Sequence, residues 1–212
     1  MKPPRVPTGK TPAQPHVSYR GHLLIAMPGL NAPPFDHSVI YLCQHDAEHA
    51  MGLILNQPIQ GLRLARILKE LGLRNEDESA SAFPIFNGGP VQNDRGFVLH
   101  SLDYRLDDIT VDLDGPPIRT RRGETQGLGL TISRDILIDL AGGAGPEHTL
   151  IALGYAGWGP GQLEDEIGRN AWLVAPATQA LIFMDAPEQL WSAAVASLGV
   201  APGRLSGAAG RA

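Results

Sequence analysis

The stretch QHDAEHAMG, residues 44 to 52, sets His45 and His49 four apart with Asp46 and Glu48 between them, the residue types of a zinc site. It is not HExxH, and a short link between two strand candidates makes a turn more naturally than a helix. Ser38, His45 and Asp46 are the types of a hydrolytic triad, but Ser38 lies outside any G-x-S-x-G elbow. Cys43 and His100 could pair as thiol and base, yet Cys43 stands in the apolar run SVIYLC, where an inert core cysteine is the simpler reading.

A second candidate is GYAGWGPGQLEDEIGRNAWLV, residues 154 to 174. Its glycines could let backbone amides approach an anion, but it matches neither GxGxxG nor GxxxxGK[ST], and Glu164, Asp165 and Glu166 crowd negative charge beside it. The first reading is therefore a strand, a turn and a short helix anchored by Leu163 and Ile167. Tyr155, Gly157, Trp158, Gly159 and Glu164 are candidate edges of a ligand or partner loop, with Trp158 half packed and one edge free. In FNGGPVQNDRGFVLHS, Asn87, Gly88 and Gly89 form a turn that could join the same loop, and Asp94 and Arg95 could pair or hold a polar ligand. RTRRGETQG concentrates positive charge at Arg119, Arg121 and Arg122, but a strand would split them between two faces. It carries no recognition helix, RNA-binding aromatic motif or zinc finger, so a solvated basic loop is expected before nucleic-acid contact. No cofactor or metal site is expected from any of these segments.

The elements that must position these residues alternate short apolar runs with turns. GHLLIAM, SVIYLC, MGLILN, PIFNGG, GFVLHS, ITVDL, GLGLTIS, TLIALGYAGW and AWLVAP read as strands. GLRLARILKELG, SRDILIDLAGG, PGQLEDEIG and PEQLWSAAVASLG read as helices, the first stopped by Gly72, the second capped by Ser133 and the last opened by Pro187. About four helices among many strands lack a regular βαβ rhythm, which predicts an α+β fold with a mixed or antiparallel sheet.

At 212 residues the chain is long enough for one substantial core, expected over residues 21 to 200. Residues 1 to 20, rich in proline with four basic residues and no acid, read as a disordered leader, and residues 201 to 212 as a flexible tail. A single cysteine, no long apolar run and no signal-peptide pattern predict a cytoplasmic protein without a membrane partner. The net charge of -5 gives no general attraction to nucleic acid.

Taken in order, GHLLIAMPGL, FDHSVIYLCQHD, AMGLILNQP, NGGPV, RGFVLHS, GYAGWGPGQLEDEIGRNAWLV and FMDAPEQLW resemble the bacterial YqgE/AlgH family over roughly residues 21 to 191. The resemblance implies a compact cytoplasmic α+β protein. It also implies kinship with proteins named for a proposed role in transcriptional regulation of alginate production, and it supplies no catalytic residues. Where the family pattern reads close to EHDxxGAMGLxxNRP, this chain has Gln44, His49 and Gln57, so the His45/His49 pair is incidental to that pattern. The expected function is a binding or indirect regulatory module with a small-molecule or protein partner. An enzyme with an unrecognised pocket and a direct nucleic-acid-binding regulator are the alternatives.

Overall fold

The computed structural model describes residues 17–30, 32–73 and 83–205. The expected leader up to residue 16 and the end of the expected tail, from residue 206, lie outside the described residues. Among the described residues no helix is long and apolar enough to cross a membrane.

Among the described residues, ten strands and five α-helices give an α+β fold with a mixed sheet. The strands are β1 (His22–Ala26), β2 (Val39–His45), β3 (Ala50–Ile54), β4 (Pro58–Arg63), β5 (Pro84–Asn87), β6 (Val91–Ser101), β7 (Val111–Arg119), β8 (Thr125–Thr131), β9 (Thr149–Trp158) and β10 (Trp172–Pro176). The helices are α1 (Leu64–Glu70), α2 (Asp135–Ala141), α3 (Gln162–Gly168), α4 (Gln179–Ile182) and α5 (Pro187–Ser197), followed by a 3₁₀ turn at Pro202–Arg204. The main path runs β10-β1-β2-β3-β9-β6-β8-β7, with β4 on β5 and β5 parallel to β9. All other pairings are antiparallel.

Alternation along the strands divides the apolar residues among three clusters. In β1, Leu23 and Ile25 face the central core under α4 and α5, while Leu24 and Ala26 face a second cluster with Leu163 of α3. A third cluster packs α1 and α2 on β5, β6 and β9 through Leu64, Leu68, Ile85, Val98, Leu140 and Ile151.

β9 serves all three clusters because its parity changes at Gly154. Before it, Leu150 and Ala152 face the central core and Ile151 the α1/α2 cluster; after it, Tyr155 faces the central core and Ala156 and Trp158 the α3 cluster. Gly154 has φ +72°, and the pairing with β6 jumps from Gly96↔Leu153 to Val91↔Tyr155 across it. That shift in register reverses which residues face each side. On the other edge, β9 exchanges β5 at Ile151–Leu153 for β3 at Ala156–Trp158.

The first expected helix begins later than its apolar spacing suggests. Pro58–Arg63 is strand β4, and the helix starts at Leu64, whose amide donates to Phe83 O at 3.0 Å. Gly72 does end it, at φ +69°. Ser133 stands one residue outside the cap position of α2, where its Oγ accepts from the Asp135 amide at 3.1 Å. The four-residue α4 had no counterpart among the expected elements; its start is capped by Thr178.

Candidate functional site

The acidic segment of α3 is drawn into two internal contacts. In β2, the register with β3 shifts between Leu42 and Gln44, leaving Cys43 as an extra residue. Without this bulge His45 would face the side of Tyr41 and Cys43; with it, His45 pairs with Ala50 and turns toward α3. There Nδ1 accepts the Tyr19 amide at 2.9 Å, so the ring proton sits on Nε2 and is donated to Glu164 Oε1 at 3.0 Å. The Tyr19 ring stacks on the imidazole at 5.5 Å, and the side chain of His45 is 1% exposed.

Glu166, one turn's edge away, clamps two tryptophans. Its Oε2 accepts from Trp158 Nε1 at 2.9 Å and from Trp172 Nε1 at 2.8 Å, while Oε1 accepts from Gln162 Nε2 at 2.9 Å. The two indoles meet edge to face at 6.1 Å. Trp158 is 5% exposed, so the free edge expected for it is covered by Trp172 and α3. Asn170 leaves the helix at φ +59°, the left-handed exit that asparagine tolerates.

The NGG turn and β9 are brought together, but as a packed junction. The Gly88 amide donates to Leu153 O at 2.8 Å, the Ile54 amide to Gly88 O at 3.0 Å, and Asn87 Oδ1 accepts from the Gly89 amide at 3.2 Å. Cβ atoms added at Gly88 and Gly89 would overlap the backbone of Gly154 and Tyr155. Gln57, at the position where the family pattern has arginine, bonds Asn87 Nδ2 through Oε1 at 3.3 Å and Pro34 O through Nε2.

The remaining chemistry candidates are separated or engaged. Ser38 Oγ donates to Phe35 O at 2.9 Å. His49 meets Asp46 at 3.2 Å across the β2–β3 turn, away from the Glu164 contact of His45. Among the described residues no group of three or more His, Cys, Asp or Glu gathers to hold a metal ion. Burial pushes the Cys43 thiol up to about 12, and β3 and β9 separate its strand from that of His100.

His100 is fully buried in a directed chain of hydrogen bonds. Leu106 N donates to Thr110 Oγ1 at 3.0 Å, Thr110 pairs with Thr131 Oγ1 at 2.8 Å, Thr131 meets His100 Nε2 at 2.8 Å, and His100 Nδ1 donates to Ser101 O at 2.8 Å. Burial holds the imidazole below its ordinary value of 6.5, against the opposing pull of the Ser101 carbonyl and Asp103. The unfolded chain therefore takes up this proton first, and the stability contributed by neutral His100 is present above pH 6.5 and lost as the pH falls toward the lower folded value. Urea titrations between pH 8 and 5 should show that decline, and His100→Gln should remove this component of the slope; an identical slope in the variant would contradict it.

The arginines of this segment are engaged in different ways. Arg119 contributes its backbone to Gln179 and His148, and Arg121 meets Glu147 at 3.4 Å. Arg121 and Arg122 line a polar cavity of about 710 Å³ together with Asp103, Glu124 and Glu147.

A separate groove of about 620 Å³ opens between the C-terminal end of α1 and the start of α2. Its floor is Ile85 of β5, Val98 of β6, and Ile151 and Leu153 of β9; Ile67, Leu71 and Leu137 form its walls, and Glu70, Asp94, Arg95 and Arg134 its rim. None of the eight residues expected to form a ligand loop, Asn87, Gly88, Gly89, Tyr155, Gly157, Trp158, Gly159 and Glu164, lines either of these two cavities. The signal available in sequence was Asp94 and Arg95, which stand on the groove rim; Arg95 donates to Gln92 Oε1 at 3.3 Å and lies 5.8 Å from the centre of the Phe97 ring.

Comparison with known proteins places this geometry among relatives. The profile described as AlgH-like matches residues 23–203. The chain is 45% identical over 195 residues to a UPF0301 protein of Thioalkalivibrio sulfidiphilus, covering 92% of this chain and 97% of the relative. It is 42% identical over 193 residues to a UPF0301 protein of Caulobacter vibrioides, covering 91% and 93%. The solution structure of the AlgH protein from Pseudomonas aeruginosa is similar with a TM-score of 0.71 at 41% identity, covering 97% of this chain and all of that one. A crystal structure of a Corynebacterium diphtheriae protein shares the fold at 19% identity, with a TM-score of 0.60 and coverage of 84% and 86%.

Proposed function

We propose, from the premise that the chain belongs to the AlgH-like family, that it works in the cytoplasm as a binding module whose ligand site is the groove between α1 and α2. The observation that carries this reading is a half-open hollow of about 620 Å³ with an apolar floor and a few charged groups at its rim. Its volume and lining match those of small-molecule sites, which are concave, mostly apolar and oriented by a few polar groups.

The alternative chemistries draw less support. Cys43, His45 and His100 are each buried and held by internal partners, which leaves them no access to a substrate in this conformation. The acids around Arg121 and Arg122 oppose a phosphate backbone in the same cavity.

Titration of methyl-labelled protein with 1-octanol, a neutral apolar probe, tests the reading. Shifts should concentrate on Ile67, Ile85, Leu137 and Ile151, which surround the groove. Shifts confined to the α3 cluster, or none at all, would overturn it.

A further inference from the structure

The charges on the groove rim are unequal in their commitments. Glu70 is tied to Arg66 at 3.0 Å on the exposed face of α1. Among the described residues Arg134 and Asp94 make no ion pair, and Arg95 makes none beyond its neutral contact with Gln92. Two guanidinium groups without an ion pair, Arg95 also lying over the Phe97 ring, thus stand with one unpaired carboxylate around an apolar floor. Arg95 and Arg134 approach that floor from different elements, the irregular start of β6 and the turn into α2, so a ligand seated between them meets both.

Resting on the groove as the ligand site, we infer that its ligand is a small organic carboxylic acid: an apolar chain or ring laid along Ile67, Ile132 and Leu153, the accessible apolar side chains of the lining, with one carboxylate at the rim held by Arg134 and Arg95. A planar carboxylate matches the fork of donors on a guanidinium, and pairing it there leaves the apolar part free to displace water from the floor. A cationic head would instead meet two like charges, with Asp94 and the Arg66-paired Glu70 in compensation. A peptide or protein segment would need to bring its own carboxylate to the same place.

Three probes of equal chain length separate the head from the body: octanoate, 1-octanol and octyltrimethylammonium, each titrated calorimetrically into the full chain below its micellar concentration. Octanoate should bind about tenfold more tightly than 1-octanol, the scale of one charge-assisted hydrogen bond at a partly wet rim, and the ammonium more weakly than the alcohol. Arg134→Gln and Arg95→Gln should each narrow the gap between octanoate and 1-octanol, and the double variant should close it. Equal binding of octanoate and octanol, or tighter binding of the ammonium, overturns the carboxylate assignment while the groove reading stands. Failure of all three probes overturns both.

Discussion

Gly154→Ala should lower the unfolding free energy by about 3 to 5 kcal/mol, one of the larger effects available to a single methyl group in this chain. Two penalties add. The residue sits at φ +72°, where an L side chain costs about 1 to 2 kcal/mol. The new Cβ would also overlap the Gly89 carbonyl and lie 3.0 Å from Asn93 Cα and Val91 O, all of them backbone or fixed to it. Relief requires the β9–β6 register and the NGG turn to move together, and that junction feeds all three hydrophobic clusters. For a protein of this size the loss corresponds to roughly 10 °C in Tm. Gly61→Ala isolates the first penalty, since Gly61 has φ +70° with nothing within 4 Å of its added Cβ, and should cost only about 1 kcal/mol. Equal effects at the two positions, read from urea midpoints at constant m, would show that the junction is not tightly packed.

Glu166→Ala is the second large effect, expected at about 2 to 5 kcal/mol because it leaves two buried indole N–H groups without their acceptor. Glu166→Gln keeps one oxygen that can accept from both rings and should lose much less. The ordering matters more than either value: a neutral Glu166→Ala, or a Gln variant as damaged as the Ala variant, would contradict the clamp. Tryptophan fluorescence adds a second reading, since loss of the clamp should change the environment of Trp158 and Trp172 even where the fold survives.

How much of this was legible in the sequence depended on whether a feature was local. β1, β2 and β9 follow their apolar runs, α3 follows the spacing of Leu163 and Ile167, and α5 follows its opening proline, because these signals act within a few residues. The start of α1 was placed too early because the helical stripe of Leu64, Ile67, Leu68 and Leu71 drew the preceding residues 61 to 63 into the same segment, while the partner that makes Pro58–Arg63 a strand, β5, is supplied from beyond residue 83. The acids of GQLEDEIG stood out as a cluster, but their partners did not. His45 lies 119 residues from Glu164, and its aim depends on a single-residue bulge at Cys43 that nothing in SVIYLCQH announces. Trp158 sits amid glycines, the setting of an exposed residue, and is buried because α3 and the Trp172 of β10 close over it. The groove was the least legible feature. Its floor comes from three strands and its walls from two helices, each reading separately as ordinary core, so only the assembled sheet shows that α1 and α2 leave a hollow along the margin of that core, at Ile67, Leu71 and Leu153.

The most direct measurement of the central claim is the 1-octanol affinity of the wild-type chain against Ile67→Trp, with both proteins checked for the same unfolding midpoint. Ile67 is partly buried on α1, where it packs on the rim of the α1/α2 cluster and borders the groove, so an indole there can extend into the hollow. If the groove is the binding site, the variant should keep its stability and lose at least about tenfold in affinity, the loss of roughly two methylene contacts. A stable Ile67→Trp protein that binds 1-octanol as tightly as wild type would contradict the claim.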